Sequence, residues 1–160
     1  MSDENTTMTE PIHDLRPTEA RWTHIALRVT NMDAMIAWYT EFTPLALIDH
    51  REDDMGYGAW LGMPEKTNNP FILVLAQFFP ETNPFAGTPI ATLQPFAHFG
   101  IELPNKSDVD AMAERAKAAD CLSMPPTMMP APIGYITMLH DPDGNTVEFS
   151  WDQGLFSTPQ

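Results

Sequence analysis

The chain has 160 residues, 43% of them hydrophobic, which is enough to bury the core of one compact, soluble domain. Its formal net charge of −14 argues against nucleic acid and anionic membranes as partners, because both would repel it. The single cysteine, Cys121, excludes an intrachain disulfide and a cysteine-based zinc site.

The segment 1–20 is acidic, contains proline and lacks hydrophobic periodicity, which predicts a flexible leader. It contains no apolar run of the kind found in signal peptides, and no later stretch is long enough to cross a membrane. We therefore expect a cytoplasmic protein with one ordered domain over residues 21–153 and a short tail over 154–160.

The first predicted strand covers Trp22–Val29, where the residues alternate between two different faces. The face opposite the apolar one carries His24, Ala26 and Arg28. Helical periodicity then predicts a helix over Met32–Phe42. Three further strands are predicted at Leu45–His50, Tyr57–Gly62 and Phe71–Gln77.

The sequence from His24 is echoed 74 residues later by the sequence from His98, and each copy runs into Asp-Ala-Met, at Asp33 and at Asp110. An approximate repeat of this length, present twice, is typical of two fused copies of one module. We expect modules over residues 21–79 and 95–152, each with the order strand, helix and three strands.

In the second module, Ser107 is the predicted N-cap of the helix, with Asp110 at its third position. The segment 122–132 is predicted as an irregular edge strand followed by a loop, because it holds four prolines. The turn 141–145 has the sequence Asp-Pro-Asp-Gly-Asn, in which Gly144 tolerates a positive φ. Two strands are predicted to flank this turn, at Tyr135–Leu139 and Thr146–Trp151.

Glu148 lies in the middle of the apolar final strand, where a carboxylate is costly to bury unless it is paired or bound to a cation. His24 and His98 occupy equivalent positions of the repeat. Together these three side chains form a candidate two-histidine, one-carboxylate set of metal ligands.

With the segment Thr23–Val29, His98 and the run from Asp141 to Glu148, the chain resembles the vicinal oxygen chelate superfamily, which includes glyoxalase I, extradiol dioxygenases and bleomycin-resistance-type proteins. The resemblance implies an α+β fold of paired βαβββ modules whose curved sheets meet around a metal cleft. It also implies a divalent metal ion (Fe, Mn, Zn or Ni), a small-molecule substrate and a homodimer.

Members that resemble glyoxalase I use a fourth ligand, a glutamate on the last strand of the first module. Alignment of the two modules places Val74 at that position, and the only nearby candidate, Gln77, should lie on the opposite face unless a bulge shifts the register. Val74 therefore predicts an apolar wall of a substrate site, and its presence argues against a typical glyoxalase I.

A three-ligand site fits the extradiol dioxygenase pattern better, because it leaves open metal positions for substrate and dioxygen. Those enzymes also use a tyrosine in the second module, and its position here holds Met138, a second candidate for substrate contact. Tyr135 and His140 are the nearby candidates for acid–base catalysis.

Arg28 and Glu102 occupy matching positions in the two copies, which predicts an ion pair between the modules. Two functions remain open. The first is a metal-dependent enzyme of the glyoxalase or dioxygenase type that acts on a partly apolar substrate, and the second is a small-molecule binding or resistance protein of the same fold without turnover.

Overall fold

A computed structural model of the chain describes residues 19–65 and 71–154. The predicted leader apart from residues 19 and 20, and the predicted tail apart from residue 154, lie outside the described residues. Within the described part of the chain, no helix is long and apolar enough to cross a membrane.

Each module consists of a strand, a helix and three strands, as predicted. Module 1 contains β1 (His24–Arg28), α1 (Met32–Phe42), β2 (Ala46–Asp53), β3 (Gly56–Gly62) and β4 (Ile72–Phe78). Module 2 contains β5 (His98–Glu102), α2 (Lys106–Ala118), β6 (Leu122–Met128), β7 (Tyr135–His140) and β8 (Thr146–Trp151). The fold is α+β, with paired βαβββ modules.

The two sheets have the same topology. Sheet 1 has the strand order β1-β4-β3-β2, and sheet 2 has the order β5-β8-β7-β6. The first strand of each module pairs in parallel with the last strand of that module, and the other neighbours are antiparallel. As a result, β1 and β5, which begin with His24 and His98, are edge strands of their sheets.

An asparagine N-cap precedes each helix. The Asn31 side chain accepts a hydrogen bond of 3.0 Å from the amide of Ala34 and so caps α1. The prediction that Ser107 caps α2 was wrong, because Asn105 is the N-cap. The Asn105 backbone N–H donates to the Asp108 carboxylate at 3.1 Å, as in a capping box. Ser107 is the second residue of α2 and therefore lies inside the helix.

Each sheet has a helix face, which packs toward the protein core, and a far face on the other side. The helix faces of both sheets contribute to a single apolar core, with fully buried residues such as Leu73, Leu75 and Phe149. The helices also touch, since Arg115 of α2 donates to the carbonyl of Glu41 in α1 at 2.8 Å. The far face of each sheet is therefore directed away from this shared core.

The turn between β7 and β8 connects module 2 to α1. The Asp141 carboxylate accepts a 2.7 Å hydrogen bond from the buried hydroxyl of Tyr39. The Asp143 carboxylate accepts hydrogen bonds from the backbone and hydroxyl of Thr30, just before α1. Gly144 has φ +85°, as its position in the turn predicts. This turn therefore holds the two modules together in addition to reversing the chain.

Candidate metal site

His98 and Glu148 lie together on the far face of sheet 2. They belong to the paired strands β5 and β8, and Glu148 is the partner of Gly100, two residues beyond His98. The His98 Nε2 atom lies 3.5 Å from the Glu148 Oε2 atom. Gly100 lies beside Glu148, and a Cβ atom at this position would be in ordinary van der Waals contact with Glu148 Oε1, at 3.6 Å.

The His98 ring is oriented by the backbone. Its Nδ1 atom lies 2.6 Å from the carbonyl oxygen of Phe96, so this nitrogen carries the proton and donates it. In the neutral ring, Nε2 then presents a lone pair toward the Glu148 carboxylate. Metal-bound histidines are commonly fixed in this way, with the second ring nitrogen donating to an acceptor.

Glu148 is only 5% exposed. Burial raises the pKa of its carboxyl group, and the nearby His98 partly opposes that shift. The Gln153 side chain donates to Glu148 Oε1 at 2.9 Å. Gln153 was not singled out from the sequence, because it follows the last strand and no ligand spacing points to it.

The structure does not bring His24 to this pair. His24 is exposed at the beginning of β1, and its Nδ1 atom is 2.9 Å from the Thr23 hydroxyl. Across residues 19–65 and 71–154, no three His, Cys, Asp or Glu side chains converge closely enough to hold a metal ion. His24 lies on the far face of sheet 1, whereas His98 and Glu148 lie on the far face of sheet 2.

The two donors that do meet suit a divalent cation chemically. Bonds of about 2.0–2.2 Å from one metal to a nitrogen and an oxygen leave those atoms about 3–3.5 Å apart. The observed Nε2 to Oε2 separation is 3.5 Å. Two side chains of one chain are thus spaced as two ligands of one cation would be, and this pair is called the candidate half-site; a complete ligand set would need at least one more donor.

Gln77 and Val74 lie on opposite faces of β4. Gln77 is on the helix face, where its Oε1 atom accepts a 2.6 Å hydrogen bond from the amide of Met32 at the beginning of α1. The pairing of β3 with β4 contains no register shift that would turn Gln77 outward. Val74 is on the far face, half-buried between its strand partners Ala26 and Trp60.

The remaining candidates are also divided between the faces. Tyr135 lies on the helix face of sheet 2, where its hydroxyl donates to Asp110 of α2 at 2.6 Å, away from Glu148. Met138 pairs directly with Glu148 on the far face. His140 pairs with Thr146, the partner of His98, and therefore shares the far face with Glu148.

The predicted ion pair between Arg28 and Glu102 is wrong. The Arg28 guanidinium donates to the carbonyl oxygens of Phe85 at 3.2 Å and Thr88 at 2.5 Å. Glu102 accepts a 3.2 Å hydrogen bond from the backbone N–H of Gln153. The two side chains lie on different sheets, and each is bonded to a different part of the chain.

Comparison with known proteins agrees with this architecture. The sequence profile of the glyoxalase/bleomycin resistance protein/dioxygenase superfamily matches residues 21–149. The chain belongs to this superfamily. It is 38% identical over 133 residues to the uncharacterized protein PA2024 of Pseudomonas aeruginosa, covering 83% of this chain and 89% of that one.

Solved structures of the superfamily share the fold. A glyoxalase I mutant from Zea mays matches with a TM-score of 0.61 and 27% identity, over 81% of this chain and 44% of that one. TnmS3, an antibiotic binding protein from Streptomyces sp. CB03234, matches with a TM-score of 0.58 and 17% identity, over 86% of this chain and 99% of that one. The superfamily fold thus includes both an enzyme and a binding protein.

Proposed function

We propose that the protein is a metal-dependent enzyme of the glyoxalase or dioxygenase type that acts on a small, partly apolar substrate. The observation that supports this most is the contact between His98 Nε2 and Glu148 Oε2, 3.5 Å apart. A carboxylate that is 5% exposed beside an oriented imidazole lone pair is costly for a metal-free protein to maintain.

We further propose that His24 of a second copy completes the ligand set. β1 and β5 are both edge strands, and His24 and His98 begin them at equivalent positions. If β1 of one copy pairs beside β5 of the other, the far face of sheet 1 continues the far face of sheet 2. A complete ligand set would then form only in a homodimer.

The backbone of the edge strands supports this pairing. The amide of Val29 bonds to the carbonyl of Ala76, and the amide of Leu103 bonds to that of Ser150. In β1 and β5, the peptide groups of the odd-numbered residues therefore point toward the neighbouring strand of the same sheet. The peptide groups of the even-numbered residues point toward the open edge. In the described part of the chain, β5 has one strand neighbour, β8, so its other edge is free of strand pairing.

The far faces would also supply the substrate environment. Met138, next to Glu148, and Val74 of the second copy would form apolar walls. A bound divalent cation would polarise adjacent oxygens of the substrate. His140 lies on the same face of sheet 2 as Glu148 and is our candidate for proton transfer.

The test is the divalent metal content of the purified protein and of His24→Ala, His98→Ala and Glu148→Ala variants. We expect stoichiometric metal in the parent and its loss in each variant, whereas His50→Ala, an exposed histidine beside Tyr57, should retain it. A parent protein that binds no metal would refute the enzyme proposal.

Mixing variants tests the contribution of the second copy. A heterodimer of His24→Ala and Glu148→Ala chains contains one intact site, so an equilibrated equal mixture should recover about a quarter of the parent's metal. Recovery requires that His24 and Glu148 act from different copies. Without recovery, the ligands cannot be shared between subunits.

The second candidate function is non-catalytic binding of an apolar small molecule. It is favoured by the two-donor half-site of the single chain and by the shared fold of the antibiotic binding protein TnmS3. This function predicts ligand binding that persists in the Glu148→Ala variant, whereas the metal-dependent function predicts its loss.

A further inference from the structure

The chain that follows β8 turns back onto the far face of sheet 2. Asp152 has φ 60°, a left-handed conformation that aspartate adopts more readily than most residues. Gly134 packs against this turn, and a Cβ atom at that position would lie 2.4 Å from the carbonyl oxygen of Trp151. The turn is thus built closely against the β6–β7 loop, and it places Gln153 over the candidate site.

Gln153 makes two distinct hydrogen bonds at the site. Its backbone N–H donates to Glu102 Oε1 at 3.2 Å and anchors the segment to β5. Its side-chain amide donates to Glu148 Oε1 at 2.9 Å. The hydrogen bond to Glu102 does not involve the Gln153 side chain. A substitution of Gln153 can therefore remove the hydrogen bond to Glu148 alone.

Glu148 consequently has its two oxygens directed to different partners. Oε1 accepts from Gln153, and Oε2 faces His98 Nε2. We propose that Gln153 is a positioning residue that presents Glu148 to a metal ion through Oε2 alone. This inference rests on the proposed metal-dependent function and assigns a role to a residue outside the ligand set.

Hydrogen bonds to metal-ligating carboxylates typically change metal affinity by about 10–100-fold when they are removed. Without Gln153, Glu148 can rotate and bind through both oxygens. Loss of the contact should therefore weaken binding and also raise the coordination number of the metal. The second effect separates positioning from a general loss of structure.

The experiment uses Co²⁺ with the full-length parent and a Gln153→Met variant, which keeps the side-chain length and the backbone anchor but removes the donor. We expect the dissociation constant measured by calorimetry to rise about 10–100-fold. The visible absorption of bound Co²⁺ should weaken, because absorption falls as coordination number rises. Gln153→Asn, whose amide is one carbon too short to reach, should behave like Gln153→Met.

The matched control is Gln94→Met, which removes a side-chain amide from an exposed linker residue bonded to Thr92. It should leave both Co²⁺ affinity and spectrum unchanged. If the parent binds Co²⁺ and the Gln153 variants match its affinity and spectrum, the positioning role is refuted while the proposed function stands. If the parent binds no Co²⁺, both are refuted.

Discussion

The hydrogen bond between Tyr39 and Asp141 is a buried polar contact between the two modules, and Tyr39→Phe tests its contribution to stability. Tyr39 is 0% exposed, and its hydroxyl lies 2.7 Å from Asp141 Oδ2. A hydrogen bond to a charged partner contributes about 1.5–3 kcal/mol. Phenylalanine fills the same space apart from one oxygen atom, so little cavity cost is added.

The structure points to the lower part of that range. After the substitution, Asp141 still accepts hydrogen bonds from the backbone of Asp143 and from the backbone and side chain of Asn145. No unpaired buried carboxylate is left. We expect Tyr39→Phe to lower the free energy of unfolding by about 1.5–2 kcal/mol, or the Tm by about 3–8 °C.

Urea unfolding at pH 7 measures this loss, with Tyr135→Phe as the matched control. Tyr135 also donates to an aspartate, Asp110 at 2.6 Å, but this contact is only partly buried and lies within module 2. Removal of the Tyr135 hydrogen bond should lower the free energy of unfolding clearly less than removal of the Tyr39 hydrogen bond. A Tyr39→Phe variant no less stable than Tyr135→Phe would refute the assignment of an inter-module stabilising role to this contact.

The stability difference between the parent and Tyr39→Phe should also depend on pH. Burial, followed by the Asp141 charge, raises the pKa of Tyr39 well above its ordinary value of 10.0. Above about pH 10, the unfolded tyrosine releases a proton that the folded one keeps, so stability declines by up to about 1.4 kcal/mol per pH unit. The Tyr39→Phe variant lacks this contribution. Its stability deficit relative to the parent should therefore shrink between pH 10 and pH 11.

Three further predictions concern the site and α1. Burial raises the pKa of Glu148 above its ordinary 4.5, so the contribution of Glu148 to stability is present below pH 4.5 and is lost as the pH rises through the raised pKa. In urea unfolding without metal, Glu148→Gln should therefore be more stable than the parent at pH 7 and should lose that advantage near pH 4. His140→Gln should keep the parental Co²⁺ affinity in calorimetry, since we assign His140 to proton transfer, and a loss of affinity would contradict that role. Asn31→Ala removes the side-chain cap of α1 and should cost about 1 kcal/mol in thermal unfolding, with Asn31→Gly costing less.

The paired modules could be predicted because the repeat and the strand alternation are local patterns. The alternation around His98 and Glu148 places both side chains on one face, and parallel pairing of β5 with β8 brings that face together within one module. The position of Gln77 followed from the same alternation, since an uninterrupted β4 keeps it opposite Val74. Contacts within a module thus depend mainly on periodicity, which the sequence contains.

Contacts between modules could not be predicted in the same way. The partner of Tyr39 is 102 residues away, and nothing in the spacing identifies it. The Arg28 and Glu102 pair was inferred from symmetry of the repeat, but the modules are not packed so that their far faces meet. Gln153 reaches Glu148 only because the backbone reverses at Asp152.

By itself, the sequence determined the secondary structure, the duplication and the chemical types of the candidate ligands, because these depend on residue identity and short-range geometry. The tertiary structure decided which candidates meet. Parallel pairing of β5 with β8 brings His98 to Glu148, whereas the packing of both helix faces in a single core leaves His24 on the far face of sheet 1, away from that pair. The physical reason is that apolar burial selects the packing of the modules, and the positions of the polar groups follow from it.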